Sequence, residues 1–401
     1  MIWNKIITFR KKLEDPNNPL LGPTLKGLYF CGLWRKVHGS NFQTIFYIMR
    51  NVFTCAFFGA QCIDLYLWRH DLNKVIDRIS VLGLEIIIIA KLYSCIMWQT
   101  QWETLFKEIS QEEIFQKQNN NQNPLIAKRM GEYTRYTRTV TYIYWGTVSA
   151  TVCLMCMTPF LKYISSQKYR QEITLGLEPS PYILSFWFPF DNSKMMCYLI
   201  AIFMQICMSY EGAGIIAAFD MNAVAIMSYF KGQLIILMEN CNNVFEGKDF
   251  ESNIKECHRH HNVLVRQYKM FNSLMSPTMF FYVIVCSITI CSAVIQFSLG
   301  QTSPSQKIWI TQYTGSLVLQ LFMYCWHSNE ATVQSKQVDR GIFNSNWWRG
   351  DVSKRRKLLL LAGQLDYQFT FSAGPFTSLS VLTFIKVYRI IILIIFTIIS
   401  R

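Results

Sequence analysis

The chain has 401 residues, of which 51% are hydrophobic, 15% aromatic and only 16% charged. Ordinary soluble proteins carry about 25% charged residues, so this composition excludes a typical water-soluble domain and points to lipid as the solvent. The net charge of +14 does not indicate a nucleic-acid partner, because the basic residues sit between apolar runs and are not interleaved with aromatics on one surface.

Residues 1–40 read as a cytoplasmic N-terminal segment in which Arg10, Lys11, Lys12, Glu14 and Asp15 interrupt any cleavable signal pattern. The first span is predicted at about 41–67 and the second at about 72–100. Gln111 to Asn123, an Asn-rich run closed by Pro124, reads as a flexible loop. The third span, about 128–161, contains Thr139 to Leu161, a stretch without Asp, Glu, Lys or Arg.

The fourth and fifth spans, about 194–230 and 260–298, are longer than the roughly 20 residues a bilayer needs. Their polar, basic ends, Lys231 to Asn240 and His258 to Lys269, are expected to project as a cytoplasmic stalk joined by a flexible loop, Glu239 to Cys257. Met270 to Gln306 and Ile308 to Asn329 also lack charge, which places a sixth span at about 307–335. A seventh, about 354–400, is broken at Ser372-Ala373-Gly374-Pro375, because Pro has no amide donor and Gly weakens the turn before it.

Charge sets the orientation. The segments 1–40, 101–138, 231–270 and 336–357 hold 26 Lys and Arg, whereas 67–78, 162–194, 299–307 and the C-terminal end hold nine. The positive-inside rule then predicts a cytoplasmic N-terminus and an outer C-terminus. The fold class is an all-α membrane protein of seven transmembrane helices with the seventh split in two. The thirteen cysteines fall mostly within spans, and Lys162 to Lys194 contains none, so no extracellular disulfide framework is expected.

Constellations for catalysis are thin, and no enzyme or cofactor is indicated. Cys257-His258-Arg259-His260-His261 carries metal-capable side chains, but neighbours on a helix point in different directions, so the expected reading is a solvated cytoplasmic face. Glu85 stands out as a carboxylate within a span, a functional candidate by default unless it pairs with Lys91 on the same helix. Lys386 and Arg389, amid Ile, Phe and Leu, either snorkel to the interface or belong to a helix lining a shared pore.

A set of C-terminal residues carries a specific likeness. Tyr324 and Cys325 through Ser335, then Val338, Phe343, Ser345, Trp347, the basic Lys354 to Lys357, and Ser378, Leu379, Phe384, Lys386 and Tyr388 resemble the C-terminal signature of insect odorant receptors. Trp187-Phe188-Pro189-Phe190-Asp191, Tyr198 and Gln205 resemble the entry to that family's fourth helix, and Asp220, Phe230, Gln233 and Leu234 its cytoplasmic end. Phe343, where many members carry Tyr, and Arg389, where a small or hydroxyl-bearing residue is usual, depart from the pattern.

The resemblance implies the ligand-tuning subunit of a tetrameric, odorant-gated, non-selective cation channel. Its partners would be the olfactory co-receptor, membrane lipid and a volatile hydrophobic odorant, in the dendritic plasma membrane of olfactory neurons. It implies that 41–335 holds spans one to six with the odorant pocket in the outer half, that 336–371 anchors the subunits together, and that 372–401 lines the pore. Alignment on Tyr388 puts a hydrophobic gate near Ile391, and helical spacing adds Val387, Ile394 and Ile395.

By the same topology the pocket is expected to draw Ile79, Leu82 and Gly83 from the second span and Tyr144, Trp145, Val148, Ser149 and Val152 from the third. Phe203 and Cys207 come from the fourth, Phe281 from the fifth, and Tyr313, Ser316, Leu317 and Gln320 from the sixth. A mainly apolar lining with a few polar groups suits a volatile ligand. The rival readings are a gustatory-receptor-like channel subunit, a G-protein-coupled receptor and a membrane-embedded transferase. Charge bias counts against the second, and no span carries the acid, base and nucleophile that the third needs.

Overall fold

The structure, a computed structural model, describes residues 13–35, 40–119, 124–174, 182–184, 186–187, 195–246, 249–298 and 304–389. It is an all-α bundle of apolar helices. In chain order these are α1 (Gly22–Phe30), α2 (Asn41–Leu67), α3 (Leu72–Met97), α4 (Gln99–Asn119), α5 (Pro124–Ser165) and α6 (Gln167–Thr174). Then follow α7 (Met195–Asn242), α8 (Phe250–Ser298), α9 (Pro304–Ser335), α10 (Arg340–Asn344) and α11 (Val352–Leu365). A short hairpin of β1 (Ser372–Ala373) and β2 (Thr377–Ser378) precedes α12, helical over 381–389.

Local chemistry sets several helix starts. Ser40 Oγ accepts from the Phe42 amide at 3.3 Å, Asp71 Oδ1 from Lys74 at 3.3 Å and Asp351 Oδ1 from Lys354 at 2.8 Å, each satisfying a first-turn N–H that has no partner within its helix. Stretches within α3, α5, α7 and α8 are long and apolar enough to cross a bilayer. On α2, Phe42, Ile45, Phe46, Met49, Val52 and Phe53 are all exposed. Such a stripe would be a liability in water and is the expected outer face of a membrane helix.

At the centre stands α7, which packs against α1, α3, α5, α8, α9 and α10. It is buried almost without interruption from Gly214 to Leu237. With 48 residues in α7 and 49 in α8, these helices run about 72 Å and 74 Å, more than twice the apolar thickness of a bilayer. Their far ends pack together with α4 in the stretch read from the sequence as a stalk, where the detail differs from that reading. Residues 111–119 are helical, because α4 buries Trp102, Leu105, Phe106 and Ile109 at helical spacing and then Glu112, Glu113 and Gln116. The Asn/Gln composition signalled a loop, yet these polar groups find partners inside the stalk.

The connection between α7 and α8 spans only 243–249, where the sequence suggests a loop from Glu239 to Cys257. Phe245 stacks on Phe250 at 5.0 Å, and Asn253 Nδ2 donates to the carbonyls of Val244 (3.1 Å) and Glu246 (3.0 Å), which closes the turn. The histidine run is not a solvated face: Cys257, His260 and His261 are buried between helices. His260 Nε2 contacts Gln233 Oε1 at 2.9 Å and Gln116 Nε2 at 3.0 Å, while Arg259 forks onto Glu112 at 2.9 and 2.8 Å. Residues before α2 join the core too. Leu20, Leu21, Leu28 and Trp34 are buried, and Arg138 clamps Glu14 at 3.0 and 2.8 Å and the Pro19 carbonyl at 2.7 Å.

The break before the last helix is longer than the four residues that signalled it, running from 366 to 380 between α11 and α12. It threads through the bundle instead of looping outside it. Phe369 and Phe371 are buried, Phe369 stacks on Tyr268 at 4.4 Å, and Tyr268 Oη donates to the Thr370 carbonyl at 2.6 Å. The Gly374 amide donates to the Ser276 carbonyl at 3.1 Å. Gly374 has φ +69°, and a Cβ there would run into the Phe280 ring, so only glycine suits this turn.

Candidate functional site

A cavity of about 110 Å³ lies inside the bundle between α3, α5, α7 and α9. Each helix supplies a stripe at helical spacing. Val81, Leu84, Glu85 and Ile88 come from α3, and Tyr144, Thr147, Val148, Thr151, Val152 and Met155 from α5. Met208, Ser209, Gly212, Ala213 and Ile216 come from α7, and Tyr313, Ser316, Leu317, Leu319 and Gln320 from α9. Leu184 closes one end, held because Gln205 Nε2 donates to its carbonyl at 2.8 Å while Gln205 Oε1 accepts the Ile183 amide at 3.0 Å. Gly212 gives the cavity its width, since a Cβ there would meet Ile88 Cδ1 at 2.7 Å.

A buried charge cluster underlies the cavity. Lys91 of α3 pairs with Asp220 of α7, both fully buried. Asp220 also accepts from Tyr144 Oη (2.6 Å), Gln320 Nε2 (2.6 Å) and Tyr324 Oη (2.5 Å), so its carboxylate has four donors. The Lys91 ammonium lies 5.6 Å from the centroids of both Phe219 and Tyr282. Burial of an ion pair is tolerable only when both charges are satisfied in this way. Four helices thereby meet at one point, and two of the cluster's donors, Tyr144 and Gln320, also face the cavity.

Most other polar groups in the lining are committed to protein partners. Tyr313 Oη donates to the Ser80 carbonyl at 2.8 Å, Ser209 Oγ to Gln205 at 2.8 Å and Thr147 Oγ1 to Tyr144 at 2.8 Å. Thr151 and Ser316 contact one another at 3.0 Å and donate back to Thr147 (2.9 Å) and Gln312 (2.9 Å). The Lys91 that might have paired with Glu85 is held instead by Asp220.

Of the residues expected to line a pocket, the structure gathers Tyr144, Val148, Val152, Tyr313, Ser316, Leu317 and Gln320 around this one space. Trp145 and Ser149 line a neighbouring cleft of about 570 Å³ with Arg50 and Glu211, which shares Val148, Val152 and Ala213 as its wall with the first. Ile79, Leu82 and Gly83 stand elsewhere on α3, where Gly83 lets Thr289 of α8 pack close. Phe203, Cys207 and Phe281 are exposed on the outside of the bundle, Phe203 by 68% and Phe281 by 56%. Glu85, the carboxylate within a span, lines the cavity as well, as does an α7 stripe from Met208 to Ile216 that the sequence alone does not mark.

On α12, Val387 packs with Phe384 against the core of its own bundle, while Lys386, Tyr388 and Arg389 are exposed. Ile391, Ile394 and Ile395 lie outside the described residues. From the cavity one can follow α9 toward α12 turn by turn: Gln320 and Tyr324 hold Asp220, and Ser328 Oγ donates to the Leu379 carbonyl at 2.6 Å. Phe322 meets Phe384 edge to face at 5.5 Å.

The cavity has a mostly apolar lining and lies within a bundle of helices long and apolar enough to cross a membrane. The model of the family described as 7tm Odorant receptor matches residues 71–392, and the chain belongs to that family, which is one of receptors and not of enzymes. Odorant receptor 82a of Drosophila melanogaster is 23% identical over 215 residues, covering 50% of this chain and 56% of that protein. Odorant receptor Or2 of Anopheles gambiae is 23% identical over 121 residues, 30% of this chain and 32% of the relative. The chain thus aligns with about half or less of the length of these two relatives.

The fold is shared far more widely than the sequence. The insect olfactory receptor OR5 from Machilis hrabei, solved in complex with eugenol, superposes with a TM-score of 0.80 at 12% identity, covering 94% of this chain and 96% of that one. A second structure of OR5, described without eugenol, gives 0.78 at 13% identity, covering 98% of each chain.

Proposed function

We propose that the chain is the odorant-tuning subunit of a ligand-gated, non-selective cation channel, assembled with the olfactory co-receptor in the plasma membrane of olfactory neurons. The observation that carries this reading is the cavity between α3, α5, α7 and α9, whose lining shares Tyr144 and Gln320 with the Lys91–Asp220 cluster. A volatile molecule gains mainly by leaving water for this apolar space, and a few polar groups orient it. The reported complex of OR5 with eugenol supports a volatile of similar size as the class of ligand.

Gating then needs a route from cavity to pore. A ligand that spreads α3, α5 and α9 alters the contacts around Asp220, and α9 is bonded through Ser328 to the segment that starts α12. Because Phe369, Phe371 and Gly374 lock that segment to α8 as well, α12 follows movements of α8 and α9. In this reading 336–371 anchors the subunits, and the pore face lies along α12 and beyond it, with Ile391, Ile394 and Ile395 as candidate gate residues. A ligand shifts such an equilibrium only by its difference in affinity for the two states.

The test is voltage-clamp recording in cells expressing this chain alone and then with an olfactory co-receptor, during application of a volatile panel with G-protein signalling blocked. Current only with the co-receptor, insensitive to the block, is the expected result. Silence in both, or a response that the block abolishes, would overturn the proposal.

A further inference from the structure

Glu85 is the exception in the cavity. It is 93% buried, being 7% exposed, and it lines the space one helical turn from Val81 and from Ile88. Among the described residues it has neither a hydrogen-bond partner nor an ion-pair partner. Its neighbours in the lining offer little: Tyr144, Gln320 and Tyr313 already donate to Asp220 or to the Ser80 carbonyl. Lys91 stands six residues on, about 9 Å along the helix, and is engaged elsewhere. An unpaired carboxyl group in apolar surroundings is costly, and the same helix could carry leucine there without that cost.

We infer that Glu85 is the polar anchor of the cavity and that the ligand class it selects is an apolar amine. This inference rests on the reading of the cavity as the odorant site. A carboxyl group donates one hydrogen bond when protonated and only accepts when ionised, so its complement is a group that can accept that proton and also donate. A primary amine does both and can take the proton outright, an alcohol does both but is not basic, and an ester only accepts. Charge balance favours the amine as well. The volatile free base enters neutral and meets the carboxyl group. Whether the carboxyl proton stays on oxygen or moves to nitrogen, the pair carries no net charge, so no lone ion is stranded in a low-dielectric space. The apolar wall of Leu84, Ile88, Val152 and Leu317 then takes the alkyl chain.

The test is calorimetric titration of the purified chain in lipid nanodiscs with three six-carbon probes: hexylamine, hexanol and methyl hexanoate. Wild type is expected to bind the amine tightest. In Glu85→Gln the amine affinity is expected to fall about tenfold or more, the worth of a charge-assisted bond, while the ester is unaffected. Glu85→Asp, which keeps the acid one methylene further back, should restore part of the preference, and melting curves of both variants check that the fold is intact. Equal affinity for amine and ester in wild type, or an amine preference that survives Glu85→Gln, would overturn the inference. Because binding is read directly, amine binding without current would overturn the channel reading alone, and current without amine preference the anchor alone.

Discussion

Asp220 concentrates the consequences of burial in one side chain. Its carboxylate takes four donors from α3, α5 and α9, so Asp220→Ala strands the Lys91 ammonium and leaves Tyr144, Gln320 and Tyr324 with unmet donors. Removing one partner of a buried pair costs about 3–5 kcal/mol, and a melting curve of the purified variant should show a lowered midpoint and poor surface delivery. Gly212 tests the cavity itself. In Gly212→Ala the added methyl drives Ile88 into the space, so potency should fall about tenfold or more for the longest active ligands and hold for the shortest. A uniform loss across chain lengths would mean that Gly212 serves packing alone.

How much of this was legible in the residues differs from helix to helix. The four positions expected on α9 all face the cavity, because polar residues mark its inner side. On α7 the signal is missing, since apolar residues surround the helix and periodicity does not show which face looks inward. Phe203 and Cys207 therefore stand on the other side of the helix, about 100° to 180° around from the stripe at Met208 and Gly212 that lines the space. The Lys91–Asp220 pair, 129 positions apart in the chain, follows only from the packing of α3 on α7.

At the scale of elements, the hinge before α12 and the stalk each carry a prediction. Gly374→Ala forces a side chain into a left-handed turn and against Phe280, which should destabilise the hinge by about 1–2 kcal/mol. Recording should then show an altered ratio of basal to evoked current with ligand affinity unchanged. Proline and glycine foretold a break there, but the length of the strap depends on Tyr268, Asn272 and Ser276 of α8, whose contacts no local pattern encodes.

In the stalk, burial lowers His260 and His261 from 6.5 to about 4, whereas burial raises Glu113 from 4.5 to about 7. Between pH 6.5 and 4.5 the unfolded state takes up two histidine protons that the native stalk refuses, while the native Glu113 holds one that the unfolded chain releases. Net loss of stability on acidification follows, about one proton's worth or roughly 1.4 kcal/mol per pH unit across that window. Melting midpoints of the purified protein from pH 7 to 4.5 should fall more steeply in wild type than in a His260→Gln, His261→Gln double variant. Equal slopes in the two would contradict the burial of the two imidazoles.

For the whole molecule, it is the surface that departs from that of a soluble protein: aromatic and aliphatic side chains face outward on α2, while the interior is an apolar core that holds the buried Lys91–Asp220 pair. Composition and charge bias foretold the helical membrane fold, because bilayer length and charge exclusion act on every span at once. They did not foretell the wedge of 20–34 in the core, whose leucines read as an ordinary N-terminal segment.

The central claim is that occupancy of the cavity opens a pore. It is tested most directly by recording volatile-evoked current from cells that carry the co-receptor and either wild type or Val152→Trp, which fills the space, with surface delivery matched and G-protein signalling blocked. The account predicts current in wild type and none in the filled variant. Undiminished current through Val152→Trp would contradict it.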